Sequence, residues 1–104
     1  MATAVQSEIL DQHLLSDRFR PLPHVVWARQ ADAIVLLDAE RGLYYTLNEV
    51  AGRTWELLAA GEPVIEILRV LTDEYDVPDE TLQADGAALL RLLLDARLIE
   101  RVTP

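Results

Sequence analysis

The stretch that decides the fold of this chain spans residues 35–47 and reads VLLDAERGLYYTL. Two apolar runs of strand length flank the polar segment 38–42, and Gly42 in that segment can take the positive φ of a tight turn. Alternate side chains of the second run share a face, with Tyr44 and Thr46 on one side and Leu43, Tyr45 and Leu47 on the other. We therefore predict a β-hairpin whose first strand, Val35–Asp38, is buried support.

Residues 24–30 add a strand before this hairpin. They include a Val-Val-Trp run, which favours extended backbone. Ala31-Asp32 is a plausible two-residue turn into the apolar run 33–38. The three strands, 24–30, 33–38 and 43–47, are then expected to form an antiparallel meander.

Apolar residues recur at helical spacing after the hairpin, which predicts three helices. Asn48 is a good N-cap for the first helix, and Pro63 is placed to start the second. Asp79 is placed to cap the third, which we expect to end at about residue 96. The inner face of this third helix would hold Leu82, Gly86, Leu89, Leu90 and Leu93. Residues 98–102 alternate in polarity and predict a short strand, or wing.

The predicted fold class is α+β: a winged helix-turn-helix with an N-terminal three-stranded antiparallel sheet followed by three helices. We place this domain at residues 24–104. Residues 1–23 are an N-terminal extension, which Pro21 and Pro23 separate from the first strand. The extension is either a disordered tail or a short amphipathic helix, whose apolar face would hold Val5, Ile9, Leu14 and Leu15.

The composition excludes several functional classes. A net charge of −9, from 18 acidic residues against nine Lys and Arg, opposes binding to nucleic acid or to anionic membranes. The absence of cysteine removes disulfides, thiolate catalysis and thiolate metal sites. The apolar stretches are far shorter than the ~20 residues of a membrane helix, and the N-terminus has no secretory signal. We predict one cytoplasmic domain with no nucleic-acid or membrane partner.

The sequence offers no catalytic constellation. The two histidines, His13 and His24, have no Glu or His at metal-ligand spacing. The two serines, Ser7 and Ser16, lack the glycines of a nucleophile elbow. The acids fit solvated faces and helix first turns. We therefore predict no catalytic residue, no cofactor and no metal, and expect that the protein is not an enzyme.

The final strand of the meander is a candidate peptide-binding edge. It carries no charge, whereas exposed edges are usually short, charged or covered. An extended peptide could add there as a fourth strand, with side chains read by a neighbouring groove. The third helix is the natural second wall of that groove. One flank of it, at i, i+3, i+4 and i+7 spacing, holds Asp85, Ala88, Leu89 and Leu92.

Two other functions stay open at this point. Helix-turn-helix geometry is common in transcriptional regulators, and the third helix offers Gln83, Arg91 and Arg97 to DNA. The same helix also carries Glu80, Asp85 and Asp95, so its exposed side is short of phosphate contacts. A third hypothesis is an adaptor or dimerisation module that uses the edge strand against a second copy.

An ordered set of short motifs resembles the PqqD-like family. The first half of the chain contributes Val35-Leu36-Leu37-Asp38, Glu40-Arg41-Gly42, Tyr44-Tyr45, Leu47-Asn48-Glu49-Val50 and Trp55-Glu56-Leu57-Leu58. The helical half contributes Tyr75-Asp76-Val77 and Leu82-Gln83-Ala84-Asp85. The resemblance covers residues 24–102 and leaves the extension unexplained.

The resemblance implies a function that composition does not show. Members of this family are recognition elements for ribosomally made precursor peptides that are later modified. A precursor's leader docks as a strand on the third strand, against the third helix, and a separate or fused enzyme acts on it. That enzyme would be a leader peptidase and cyclase, as in lasso-peptide pathways, which we favour, or a radical SAM protein. Carried onto this chain, the peptide contacts are Leu43, Tyr44, Tyr45, Thr46, Asp85, Ala88, Leu89 and Leu92.

Three positions depart from the family's pattern. Pro78-Asp79 stands where Asp-Pro is common, which would shift the helix cap by one residue. Thr46 stands where glycine is common, which would narrow access beside the strand. Gly86 costs its helix up to ~1 kcal/mol against alanine, and we expect it to permit close packing.

Overall fold

The computed structural model describes residues 12–102, with side chains from Leu14 onward. The elements in chain order are α1 (Gln12–Ser16), β1 (Phe19–Pro21), β2 (Val25–Gln30), β3 (Ala33–Asp38), β4 (Leu43–Leu47), α2 (Glu49–Ala59), α3 (Val64–Glu74), α4 (Asp79–Asp95) and β5 (Ile99–Arg101). The three helices predicted from the sequence are α2, α3 and α4. The fold class is confirmed as α+β, with a three-stranded antiparallel sheet followed by these helices.

The predicted meander is present, with strand order β2-β3-β4. Its register places Ile34 opposite Leu47, Leu36 opposite Tyr45 and Asp38 opposite Leu43. Side chains alternate along β3, so that Ile34, Leu36 and Asp38 are buried and their neighbours are half-buried. The core therefore lies on the face of the sheet that these residues share with Leu47.

Asp38 is a buried acid that fixes the turn between β3 and β4. Its Oδ1 accepts hydrogen bonds from the backbone N–H groups of Glu40 and Arg41, each at 3.0 Å. Gly42 completes the turn with φ +71°, a conformation that side chains disfavour. A buried carboxylate is tolerated here because backbone donors satisfy it.

Of the two side-chain caps predicted for α2 and α4, the first is present and the second is not. Asn48 caps α2 as predicted, its Oδ1 accepting from the Ala51 N–H at 2.9 Å. Asp79, in contrast, does not cap α4: the N-cap is Pro78, which has no side-chain hydrogen bond, and Asp79 lies in the first turn. The prediction for Asp79 was wrong by one residue, because Pro78 occupies the N-cap with φ −57° and ψ 142°. The Asp79 Oδ1 accepts instead from the Thr72 hydroxyl at 3.3 Å.

A second, two-stranded sheet joins the two ends of the described chain. The wing predicted at residues 98–102 is β5, and it pairs antiparallel with β1. Strand β1 was not predicted from the sequence, and it lies inside the extension assigned to residues 1–23. Leu14 and Phe19 from the same segment are buried in the core. The expected helix positions Val5 and Ile9 lie outside the described residues.

Candidate functional site

Strand β4 lies at an edge of the sheet, as predicted, because among the described residues it pairs with β3 alone. The direction of its backbone groups follows from the neighbouring ladder. The Ala39 N–H donates to the His24 carbonyl at 2.9 Å, so backbone groups at odd positions of β3 face β2. Those at even positions therefore face β4 and pair with Leu43, Tyr45 and Leu47. Tyr44 and Thr46 are left to present their N–H and C=O groups to the open edge.

The side chains of β4 divide in the same alternating way. Tyr44 and Thr46 are exposed, and Tyr44 reaches an exposed fraction of 70%. Tyr45 is half-buried and packs against the core, and Leu43 is 48% exposed beside the turn. The edge is thus free of charge along its length and open in both backbone and side chain.

A cleft of about 450 Å³ opens between the start of α2 and one flank of α4. The α2 side begins with Asn48, the residue that follows β4, so the cleft continues from the end of the edge strand. Its lining residues are Asn48, Val50, Ala51, Thr54, Leu71, Val77, Leu82, Asp85, Gly86, Ala88 and Leu89. The lining is mostly apolar, which suits a side chain anchored from an extended peptide.

The structure brings three of the four predicted helix-wall residues together. Asp85, Ala88 and Leu89 all line the cleft. Leu92 does not line it but lies one turn further along α4, where it is 49% exposed. The four predicted β4 contacts lie outside the cleft lining as well. The predicted site therefore comprises an edge and a cleft that meet near Asn48, with Leu92 beyond the cleft.

The polar residues of the cleft lining are Asn48, Thr54 and Asp85. Asp85 is exposed, and within residues 12–102 its carboxylate has no hydrogen bond or ion pair. Asn48 already uses its Oδ1 in the helix cap. Outside the cleft lining, burial raises the pKa of the Tyr75 phenol, and the Glu49 carboxylate raises it further. Among the residues that line the cleft, Asp85 alone has a charged side chain.

The α2 and α3 contributions to the cleft were not predicted from the sequence. Asn48 was predicted as a helix cap, which is its local role. The available signal was position: a capping residue directly after an edge strand must lie at the end of that edge. Leu71 and Val77 gave no such signal, because they reach the cleft through tertiary packing.

The remaining candidate groups take structural positions. His24 Nε2 lies 3.0 Å from the Arg97 carbonyl oxygen and 3.8 Å from Asp38 Oδ1, which ties the start of β2 to the turn before β5. Within the described residues, no three His, Asp or Glu side chains are grouped so that they could hold a metal ion. The same residues include no helix with the length and apolar character needed to cross a bilayer.

These features define the class of the protein: a winged helix-turn-helix domain with an open sheet edge beside a helical cleft. A family model described as coenzyme PQQ synthesis protein D (PqqD) matches residues 33–99. The chain therefore belongs to the PqqD family. No curated protein matches it.

Two solved structures resemble the whole domain. One is described as TbiB1 in complex with the TbiA(β) leader peptide; it is 33% identical, with a TM-score of 0.74, and the match covers 82% of this chain and 99% of that one. The other, described as lasso peptide synthetase B1 complexed with the leader peptide, is 30% identical, with a TM-score of 0.73, and the match covers 80% and 98% of the two chains. Both relatives were thus solved with a leader peptide bound.

Proposed function

We propose that this protein binds the leader of a ribosomally synthesised precursor peptide and presents it to a modifying enzyme, without catalysing a reaction itself. The leader adds as a strand to β4, and its side chains enter the cleft between α2 and α4. The observation that carries the proposal is the uncharged open edge that ends at an apolar cleft.

The geometry of the edge supports strand addition. The backbone groups of Tyr44 and Thr46 face outward, and each can exchange hydrogen bonds with an incoming strand. Main-chain pairing supplies affinity that is independent of sequence, while the cleft selects side chains. The two relatives solved with leader peptides have the same fold over nearly their whole length.

The partner enzyme belongs to the same proposal. A lasso-type leader peptidase and cyclase is the first candidate, since both structural relatives come from leader complexes and one is named a lasso peptide synthetase. A radical SAM enzyme is the second, since the family description is that of coenzyme PQQ synthesis. We place this activity in the cytoplasm, where precursor peptides are made.

Titration of fluorescently labelled leader peptides tests the proposal. The probes are the TbiA(β) leader and the leaders of short precursors encoded beside this chain's gene, each with a scrambled version as control. We expect saturable binding at micromolar concentration, about −8 kcal/mol, and none to the scrambled peptides. Absence of saturable binding by every leader would overturn the proposal.

The same titration, run with duplex DNA at low salt, addresses the regulator hypothesis. Non-specific DNA binding is strongest at low salt, and the chain's net charge of −9 opposes it. We expect no shift of the DNA. Solution mass measurement with and without leader addresses the dimer hypothesis in the same samples.

A further inference from the structure

Gly86 lies at the middle of α4, where glycine is the least favourable ordinary residue. The sequence predicted that it permits close packing, and this was wrong. A Cβ built at Gly86 would meet only Leu68 Cδ2, at 4.0 Å, which is ordinary van der Waals contact. None of the described residues packs so close to Gly86 that a larger residue would be excluded there.

Gly52 shows what a glycine required by packing looks like in the same molecule. A Cβ at Gly52 would come within 2.8 Å of Ile34 Cγ1, so a larger residue there would force Ile34 or α2 to shift. Gly86 differs from Gly52 because no neighbouring element approaches closely enough to fill the space that a Cβ would occupy.

The space beside Gly86 lies where two cavities adjoin. A second cavity, of about 60 Å³, lies between α1, α3 and α4. The cleft and this cavity share Thr54, Leu71 and Gly86 in their linings. Thr54 and Leu71 are buried. Of the three shared residues, only Gly86 presents no side chain between the cleft and this second cavity, which we call the inner cavity.

The lining of the inner cavity is mostly apolar, which favours apolar groups. Its lining is Leu14, Leu15, Thr54, Val64, Ile67, Leu68, Leu71, Gln83, Gly86, Ala87 and Leu90. The Thr54 hydroxyl already donates to the Val50 carbonyl at 2.9 Å. A charged group entering there would lose much of its hydration, and Gln83, exposed at the rim, is the other polar side chain of the lining.

We propose that Gly86 determines which side chain of a bound peptide the cleft accepts. Without a Cβ at this position, a long unbranched or γ-branched apolar side chain reaches through the cleft floor into the inner cavity. This inference rests on the proposed function and deepens it, since it names the chemistry of one anchor residue. It also gives α1 a role, because Leu14 and Leu15 form the far wall that limits the anchor's length.

The variant Gly86→Ala separates this role from a structural one. Alanine stabilises a helix relative to glycine, and its Cβ fits beside Leu68, so the urea midpoint should rise. Peptide affinity should nevertheless fall, by between about fourfold and fifteenfold, as expected when one or two methylene groups are kept out of an apolar site. A merely structural glycine would not produce these opposite effects.

The probes are extended peptides selected by display from a random library against the wild-type protein, so that no natural precursor need be known. Each selected peptide is remade with its apolar anchor shortened to alanine. Shortening should weaken binding to the wild type and have a much smaller effect on Gly86→Ala, which is the coupling that a double-mutant cycle measures. Equal losses on both proteins would overturn the proposal.

Two further variants complete the test. Leu15→Ala enlarges the inner cavity from the α1 side and should shift the selected anchors toward longer side chains. Ala84→Gly exchanges the same two residue types at an exposed site of α4 that lines neither cavity, and it should lower stability without changing affinity. If no peptide is enriched on the wild type, the proposed function itself fails; if peptides bind but anchor preference is identical in all variants, only the role of Gly86 fails.

Discussion

At the scale of single residues, side chains of the same type take unlike roles because their surroundings differ. Leu89 and Leu92 are three positions apart on α4, yet the first lines the cleft and the second lies beyond it. Gly52 and Gly86 are both helical, yet only Gly52 is required by its neighbours. The sequence predicted the helical positions of these residues but not these differences, which depend on β3 and α3.

Replacing Gly52 with alanine should destabilise the fold. The added Cβ would overlap Ile34, and overpacking of this kind costs about 1–3 kcal/mol, offset in part by the better helix propensity of alanine. Urea unfolding measures the change, with Gly86→Ala as the matched control at the other helical glycine. A Gly52→Ala protein as stable as the wild type would show that α2 and β3 can move apart.

Replacing Leu92 with glutamate should weaken leader binding while leaving the fold intact. The side chain is 49% exposed, and a peptide lying on it would bury this exposed half. That burial is worth about 1 kcal/mol, or about fivefold in affinity. Leu94→Glu is the matched control, since Leu94 is 39% exposed on the same helix but outside the proposed groove. Equal affinity of the two variants would remove Leu92 from the site.

At the scale of elements, the functional surface is a property of β4 and of the helix that follows it. Strand alternation was predictable from the pattern of residues 43–47, and so was the edge, because the chain turns into a helix at Asn48 instead of continuing the sheet. Which backbone groups face outward was not predictable, since it depends on how β2 and β3 pair.

Single proline substitutions at positions 45 and 46 should distinguish the side of β4 that pairs with β3 from the side that is open to a peptide. Thr46→Pro removes an N–H that faces the open edge, where proline is tolerated. It should reduce leader binding by about twofold to tenfold, the effect of one lost hydrogen bond. Tyr45→Pro removes an N–H that pairs with β3, so it should lower the urea midpoint. Circular dichroism and titration together check both, and the reverse result would place the peptide elsewhere.

An ion pair between α2 and α3 should make the free energy of unfolding depend on pH in the acidic range. A hydrogen bond from Arg53 lowers the pKa of the Glu74 carboxyl below its ordinary 4.5, and the Nε–Oε1 distance is 2.8 Å. Because the folded-state pKa is the lower one, this stabilisation is complete above pH 4.5 and is lost as the pH falls through the depressed value. As the pH is lowered from 7, the urea midpoint should fall less steeply for Glu74→Gln than for the wild type. Parallel plots of midpoint against pH for the two proteins would contradict this role of Glu74.

At the scale of the whole molecule, the sequence was informative about residues 24–102 and much less so about the extension. The meander and its three helices have periodic signals that local physics determines. Strand β1 has no such signal: it is three residues long, ends in proline and depends on β5, about 80 residues later in the chain, for its hydrogen bonds. The recognition-domain boundary at residue 24 stays a prediction, but part of the extension belongs to the same core.

The two margins of the three-stranded sheet are not equivalent. On the β2 side one outward group, the Val25 N–H, is already bonded to the Leu22 carbonyl at 3.0 Å. The Arg29 side chain there is paired with Glu56. On the β4 side no described residue satisfies the outward groups of Tyr44 and Thr46. In a concentrated sample without leader, those N–H and C=O groups therefore have two possible hydrogen-bond partners: water, or strand β4 of another copy. Affinities measured at high protein concentration would report a competition, and a dilution series would be needed to recover the intrinsic value for the leader.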